Sequence, residues 1–132
     1  MRILDTDHCV AALRGQLDLT KHALPLEELG ITATSVGELI HGAFRSNRPT
    51  ENLAQLDIFL APMNVIQFDE ASAYRFGKLK AELDRMGKMI PDLDLQIAGI
   101  ALDQEAVLVT HDRNHFDRVV EAAGLVVEDW LA

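Results

Sequence analysis

"GITATSVGELIHGAFR", Gly30–Arg45, changes its hydrophobic period part-way along. Gly30 to Ala33 is a short, mostly apolar run of the kind that forms a strand buried on both faces. From Ser35 to Arg45, the residues Val36, Leu39, Ile40, Ala43 and Phe44 fall at i, i+3, i+4, i+7 and i+8, one stripe of an amphipathic helix. A strand feeding straight into a helix is the first half of a βαβ unit, so the fold turns on whether the pattern repeats.

It does. Further strand candidates are Arg2 to Leu4, Asn64 to Phe68, Ala106 to Thr110 and Leu125 to Val127. Helical periods run over Asn52 to Leu60, over Asp69 to Met86 with Gly87 as its stop, and over the strongly apolar Asp92 to Asp103. Short strands alternating with helices predict an α/β fold: a single three-layer α/β/α domain over residues 1–132, with a central parallel sheet of four to five short strands.

The chain has 132 residues, enough for one substantial core and too few for a second of similar size. Hydrophobic residues make up 48% and charged residues 25%, the balance of a soluble globular protein. No stretch reads as a membrane span or a signal peptide, so a cytoplasmic location is expected. Cys9 is the only cysteine; it excludes an internal disulfide and a multi-cysteine zinc site, and reads as a buried thiol beside Val10 and Leu13. The formal net charge of −9 argues against a protein that holds nucleic acid by bulk attraction to phosphates. Clustered carboxylates that bind divalent cations would reverse that sign locally.

In parallel α/β sheets, ligands bind beyond the carboxyl ends of the strands. Asp5 and Asp7 follow the first strand, Glu38 the second, and Asp112 the fourth, while Asp94 opens the helix leading to the fourth. Each acid alone has an ordinary structural reading. Ser35-Val36-Gly37-Glu38 is a capping-box pattern, Asp92 and Asp94 suit the positive end of a helix, Asp5 or Asp7 can cap a helix from His8 to Leu13, and Asp112 suits a turn. Together they are harder to explain without a cation, because gathered carboxylates repel one another. Oxygen ligands in that number suit Mg²⁺ or Mn²⁺.

These residues resemble the motifs of the PIN-domain superfamily. "RILDTDHCVAALRG" resembles its opening strand, acid and short helix; "ITATSVGELIHGAFRS" its strand and Glu-bearing helix; "IPDLDLQIAGIAL" its third acid, selecting Asp94 over Asp92; and "VLVTHDRNHFDRV" its fourth. The closing "GLVVEDWL" is similar to the last strand and tail, so the resemblance covers nearly the whole chain. Within the superfamily, "GELIHGAFRS" and the small size are most similar to the VapC-type toxins of type II toxin–antitoxin systems. The resemblance carries the family's acids to Asp5, Glu38, Asp94 and Asp112, with Asp7 standing where Asn is usual.

That resemblance implies a Mg²⁺- or Mn²⁺-dependent endoribonuclease that hydrolyses RNA phosphodiester bonds. Asp5 and Asp94 would hold metal, Glu38 would orient the attacking water, Asp112 would complete the site with Asp7 nearby, and Thr6 and Thr110 would hold the carboxylates. Ser35 would do likewise or cap its helix. Arg14, Arg45 and Arg48 have equal claims as phosphate contacts and as plain surface charges, and Arg113 and His115 have a similar claim. The five histidines show no paired ligand spacing in the sequence and receive no catalytic role, and Tyr74 and Trp130 read as packing groups.

The implied partners are a VapB-like antitoxin, whose C-terminal segment would lie in an apolar groove, and a second copy of the chain, with Leu39 to Phe44 and Leu53 to Leu60 serving either an interface or the core. Two other readings compete. Asp-Thr-Asp after a first strand also fits a haloacid-dehalogenase-like phosphoryl-transfer enzyme, for which Lys88 is the nearest lysine to the later acids, and a non-catalytic PIN-like binding module is the third.

Overall fold

In the computed structural model, which describes residues 1–22 and 28–132, five parallel strands form one sheet in the order β3-β2-β1-β4-β5. They are β1 (Arg2–Leu4), β2 (Leu29–Thr32), β3 (Asn64–Ile66), β4 (Val107–Val109) and β5 (Val127–Glu128). β1 lies at the centre, and the order runs outward from it in both directions. That reversal opens a crevice at the carboxyl ends of β1 and its neighbours β2 and β4, where side chains following each strand can meet.

Helices cover both faces. On one side lie α1 (Thr6–Leu13), α2 (Ala33–Arg45) and α3 (Pro49–Leu60), and on the other α4 (Glu70–Met86), α5 (Asp92–Asp103) and α6 (Arg113–Ala123). Consecutive strand residues point to opposite faces. Ile3 therefore joins Leu83, Leu95, Ile100 and Phe116, whereas Leu4 joins Cys9, Ile31, Leu39 and Leu56, all in the two buried clusters. Complete burial of side chains such as Ile3 and Leu4 is worth roughly 1.5–3 kcal/mol each. This is the expected three-layer α/β/α arrangement, with five strands. Among the described residues no helix is long and apolar enough to cross a membrane.

Local chemistry sets most element ends. Asp69 caps α4 by accepting the Ser72 amide, and Gly87, at φ 67°, stops it in the left-handed conformation that costs glycine least. Helix α3 begins three residues before the expected Asn52, because Pro49 supplies a ready-made first helical residue. Cys9 is fully buried against the cluster that includes Val10 and Leu13, as expected.

Two local readings are corrected. The Ser35–Glu38 capping box does not form: α2 starts at Ala33, and Thr32 is its cap, its hydroxyl accepting the Ser35 amide at 3.0 Å. Ser35 lies within the first turn, fully buried, and Glu38 is released from any capping duty. Asp112 is a helix cap rather than an ordinary turn residue, since α6 begins immediately after it.

Candidate metal centre

Asp5 directly follows β1 and is 7% exposed. One carboxylate oxygen caps α1 by accepting the Thr6 amide at 2.8 Å, and the other accepts the Thr110 hydroxyl at 2.7 Å. Thr110 is fully buried just past β4, and its oxygen in turn accepts the Asp112 amide at 3.0 Å. Parallel pairing of Leu4 with Val109 places these two strand ends side by side.

From this pair, hydrogen bonds run outward to the other acids. The Thr6 hydroxyl donates to Glu38 at 2.9 Å, tying α1 to α2. Asp112 caps α6, accepting the His115 amide at 3.1 Å. His115 Nδ1 lies 2.7 Å from Asp94 Oδ2 and 2.9 Å from Asp112 Oδ2, so α5 and α6 meet at this imidazole. An unbroken chain thus links Glu38, Thr6, Asp5, Thr110, Asp112, His115 and Asp94. All four sequence-selected acids lie on it.

The electrostatics are those of crowded carboxylates held partly out of water. Burial pushes the Asp5 carboxyl up to about 7, with the nearby charges of Asp7 and Asp94 adding to the rise, against the hydrogen bonds from Thr110 and Thr6. Burial also raises Asp94, and Asp112 and Asp7 push the same way, while His115 opposes them. At Asp5 and Asp94 the charged form is thus disfavoured relative to a free carboxylate, and a bound cation would favour it. One oxygen each of Asp94 and Asp112 and a nitrogen of His115 lie within 4.8 Å of one another, a spacing able to hold a metal ion. The donors therefore fit a divalent cation.

Asp7, the remaining acid of the first motif, is held by a different set of contacts. Burial would raise its pKa, but hydrogen bonds from His8 Nδ1 and the His111 amide, together with the His8 interaction, hold it below the usual carboxylate range. Its two oxygens are thereby engaged. His8 is fully buried and accepts the Trp130 amide at Nε2, which assigns the ring hydrogen to Nδ1, facing Asp7. Asp7 ties the first motif to the tail of the chain.

The remaining expected residues separate. Asp92 is exposed and paired with Lys80 at 2.8 Å, outside the chain of acids. Among the three arginines, only Arg14 lines the cavity of about 300 Å³ that adjoins Thr6 and Glu38 between α1, α2 and α3. Arg45 is exposed in the last turn of α2, and Arg48 pairs with Glu51 on the surface. Arg113 is engaged by Asp117. His115 is the site residue that the sequence does not place: expected beside Arg113 as a phosphate contact, it lies between two acids. Its signal is the Asp112–His115 spacing of three, which puts both on one helical face once α6 is recognised.

The sequence profile of the PIN domain family matches residues 2–122. This chain belongs to the PIN domain family. Within that family, it is 32% identical over 130 residues to the tRNA(fMet)-specific endonuclease VapC of Shigella flexneri, covering 97% of this chain and 96% of the relative. It is also 32% identical over 132 residues to ribonuclease VapC2 of Rickettsia felis, with the same coverage of 97% and 96%. Among solved structures, a chain of DNA-bound VapBC from Salmonella typhimurium superposes with a TM-score of 0.89 at 30% identity, covering 98% of this chain and 97% of that one. The PIN fold and its VapC branch are those that the four sequence motifs resemble. The haloacid-dehalogenase alternative also loses its lysine, since Lys88 is paired with Glu121 on the surface.

Proposed function

We propose that this PIN domain, spanning residues 1–132, is a VapC-type endoribonuclease that hydrolyses RNA phosphodiester bonds in the cytoplasm with Mg²⁺, and with Mn²⁺ accepted in its place. The observation that carries the reading is the hydrogen-bonded chain joining Glu38, Asp5, Asp112 and Asp94 at the carboxyl edge of the sheet. The named relatives support it, being ribonucleases of matching length.

When bound, a divalent cation lowers the pKa of an attacking water and stabilises charge on the departing oxygen. Asp5, Asp94 and Asp112 would hold it. Thr110 fixes Asp5 and Asp112 relative to each other, because one hydroxyl donates to the first and accepts the backbone amide of the second. Thr6 fixes one oxygen of Glu38, so the carboxylate is held at a set orientation from which to align water. Arg14, on the wall of the adjoining cavity, is placed to meet a phosphate of the RNA.

The same cavity has apolar walls from Val10, Leu13, Leu39, Ala43 and Leu56, and reaches Glu38 at one side. A VapB-like antitoxin is the proposed partner, supported by the similarity to solved VapBC complexes; its apolar segment would lie in this groove and a basic side chain would face the acids. Helices α2 and α3 bury Leu39, Ala43 and Leu56 in the core but leave Ile40, Phe44 and Ile58 exposed, and a second copy of the chain would cover these three.

The test incubates purified protein with end-labelled RNA, including tRNA(fMet), in Mg²⁺, Mn²⁺ or EDTA. Cleavage is expected with either ion, none in EDTA, and at least a hundredfold loss in Asp94→Asn. Cutting that persists in EDTA and in Asp94→Asn would sink the assignment.

A further inference from the structure

His115 is not one of the acids on which the proposed nuclease chemistry rests, yet its Nδ1 sits 2.7 Å from Asp94 Oδ2 and 2.9 Å from Asp112 Oδ2. Neighbouring ligands of an octahedral ion with bonds of about 2.1 Å lie ~3 Å apart. The two observed distances match two edges of such a polyhedron. One cation bound near these three atoms can therefore reach both carboxylates and the imidazole with little movement of any of them.

The imidazole is also held in place. Asp112 accepts the His115 backbone amide, and Phe116, the next residue, is fully buried in the core, so the first turn of α6 cannot swing away without disrupting packing. His115 itself is half-buried and open to solvent on one side. The other histidines near the site are committed elsewhere: His8 to Asp7 and the Trp130 amide, and His111 to Asp129.

We propose that His115 is a ligand of the divalent cation held by Asp94 and Asp112, making one position of the site a mixed nitrogen–oxygen set. An ion bound here would take the Nδ1 lone pair, with the ring hydrogen carried on Nε2 and any hydrogen between Nδ1 and the carboxylates released to solvent. Imidazole nitrogen suits the later transition ions best, and Mn²⁺, at the start of that series, accepts it more readily than the harder Mg²⁺. His115 thereby sets the ion preference of a centre whose acids alone would favour neither strongly. The proposal rests on the metal-dependent reading above and goes beyond it in naming the nitrogen donor and its selectivity.

The experiment is Mn²⁺ binding to the full chain, followed by calorimetry and by electron spin-echo spectroscopy on protein made with ¹⁵N-histidine. Wild type is expected to show a histidine nitrogen coupled to Mn²⁺. His115→Ala and His115→Gln, each confirmed folded by thermal melting, are expected to lose that coupling and to bind Mn²⁺ at least tenfold more weakly, with Mg²⁺ affinity changed less than threefold. Mn²⁺ bound without nitrogen coupling in wild type, or coupling retained in both variants, overturns the His115 assignment and leaves the carboxylate site standing. Failure of wild type to bind Mn²⁺ or Mg²⁺ at all overturns both.

Discussion

Asp5 carries the largest electrostatic strain among the acids of the site. Its carboxyl moves from 3.8 to about 7 because burial disfavours the charge, with Asp7 adding to it. In the metal-free protein the unfolded chain ionises at this position near pH 4 and the folded chain only near pH 7, so stability falls as pH rises between them. Above pH 7 the full penalty applies, about 4 kcal/mol at most by that difference. Asp5→Asn removes the charge but turns one of the two carboxylate oxygens, which accept the Thr6 amide and the Thr110 hydroxyl respectively, into an NH₂ group that cannot accept. Melting in EDTA is expected to show the Asp5→Asn variant more stable than wild type by roughly 2 kcal/mol at pH 8, and equal or less stable at pH 4. Added Mn²⁺ should stabilise wild type and not the variant. A variant that is less stable at both pH values would mean that the cap, not the charge, dominates at Asp5.

At the scale of elements, the site depends on how closely α5 is held against α4, since α5 carries Asp94. Gly99 on α5 is the point of nearest approach: a β-carbon there would stand 2.9 Å from the Ser72 carbonyl oxygen and 3.2 Å from the Phe76 nitrogen. Both are backbone atoms and cannot rotate aside. Alanine would gain about 1 kcal/mol in helix propensity, but separating the two helices costs more, so Gly99→Ala is expected to destabilise by a net ~1–3 kcal/mol in urea unfolding. It should also lower cleavage, by shifting Asp94 relative to the anchored Asp5. No loss of stability would show that α4 yields freely.

The elements legible in the sequence are those whose signal is local. Continuous apolar runs mark all five strands to within a few residues, and the apolar stripe of α2 and the Gly87 stop of α4 need only neighbouring positions. The four acids are likewise legible because each follows or precedes a strand that the pattern reveals. What escapes depends on contacts between distant segments. The cap of α2 is Thr32, inside the expected strand, because the strand ends one residue earlier than its apolar run. α6 is hidden behind an Asp that reads equally as a turn. His115 meets Asp94 across 21 positions of sequence, a pairing that only the packing of α6 against α5 creates.

For the whole molecule, the net charge of −9 must be reconciled with an RNA substrate. Few cations are available near the site: Arg14 borders the cavity, whereas Arg48 and Arg113 are engaged by Glu51 and Asp117. The protein therefore has little sequence-independent attraction for phosphates, and the bound ion supplies the local positive charge. This requires RNA affinity to depend on divalent ions rather than on the protein surface. Glu38→Gln should retain the residues that hold the ion while losing cleavage, which allows binding to be measured on intact RNA. Its Kd for RNA in Mg²⁺ is expected to be at least tenfold tighter than in EDTA. The plot of log affinity against log salt should be shallow, with a slope of about −1 to −2, since only one or two phosphates are neutralised by protein cations. Equal binding in EDTA, or a slope several times steeper, would place the RNA on a basic surface that the distribution of Arg and Lys gives no reason to expect.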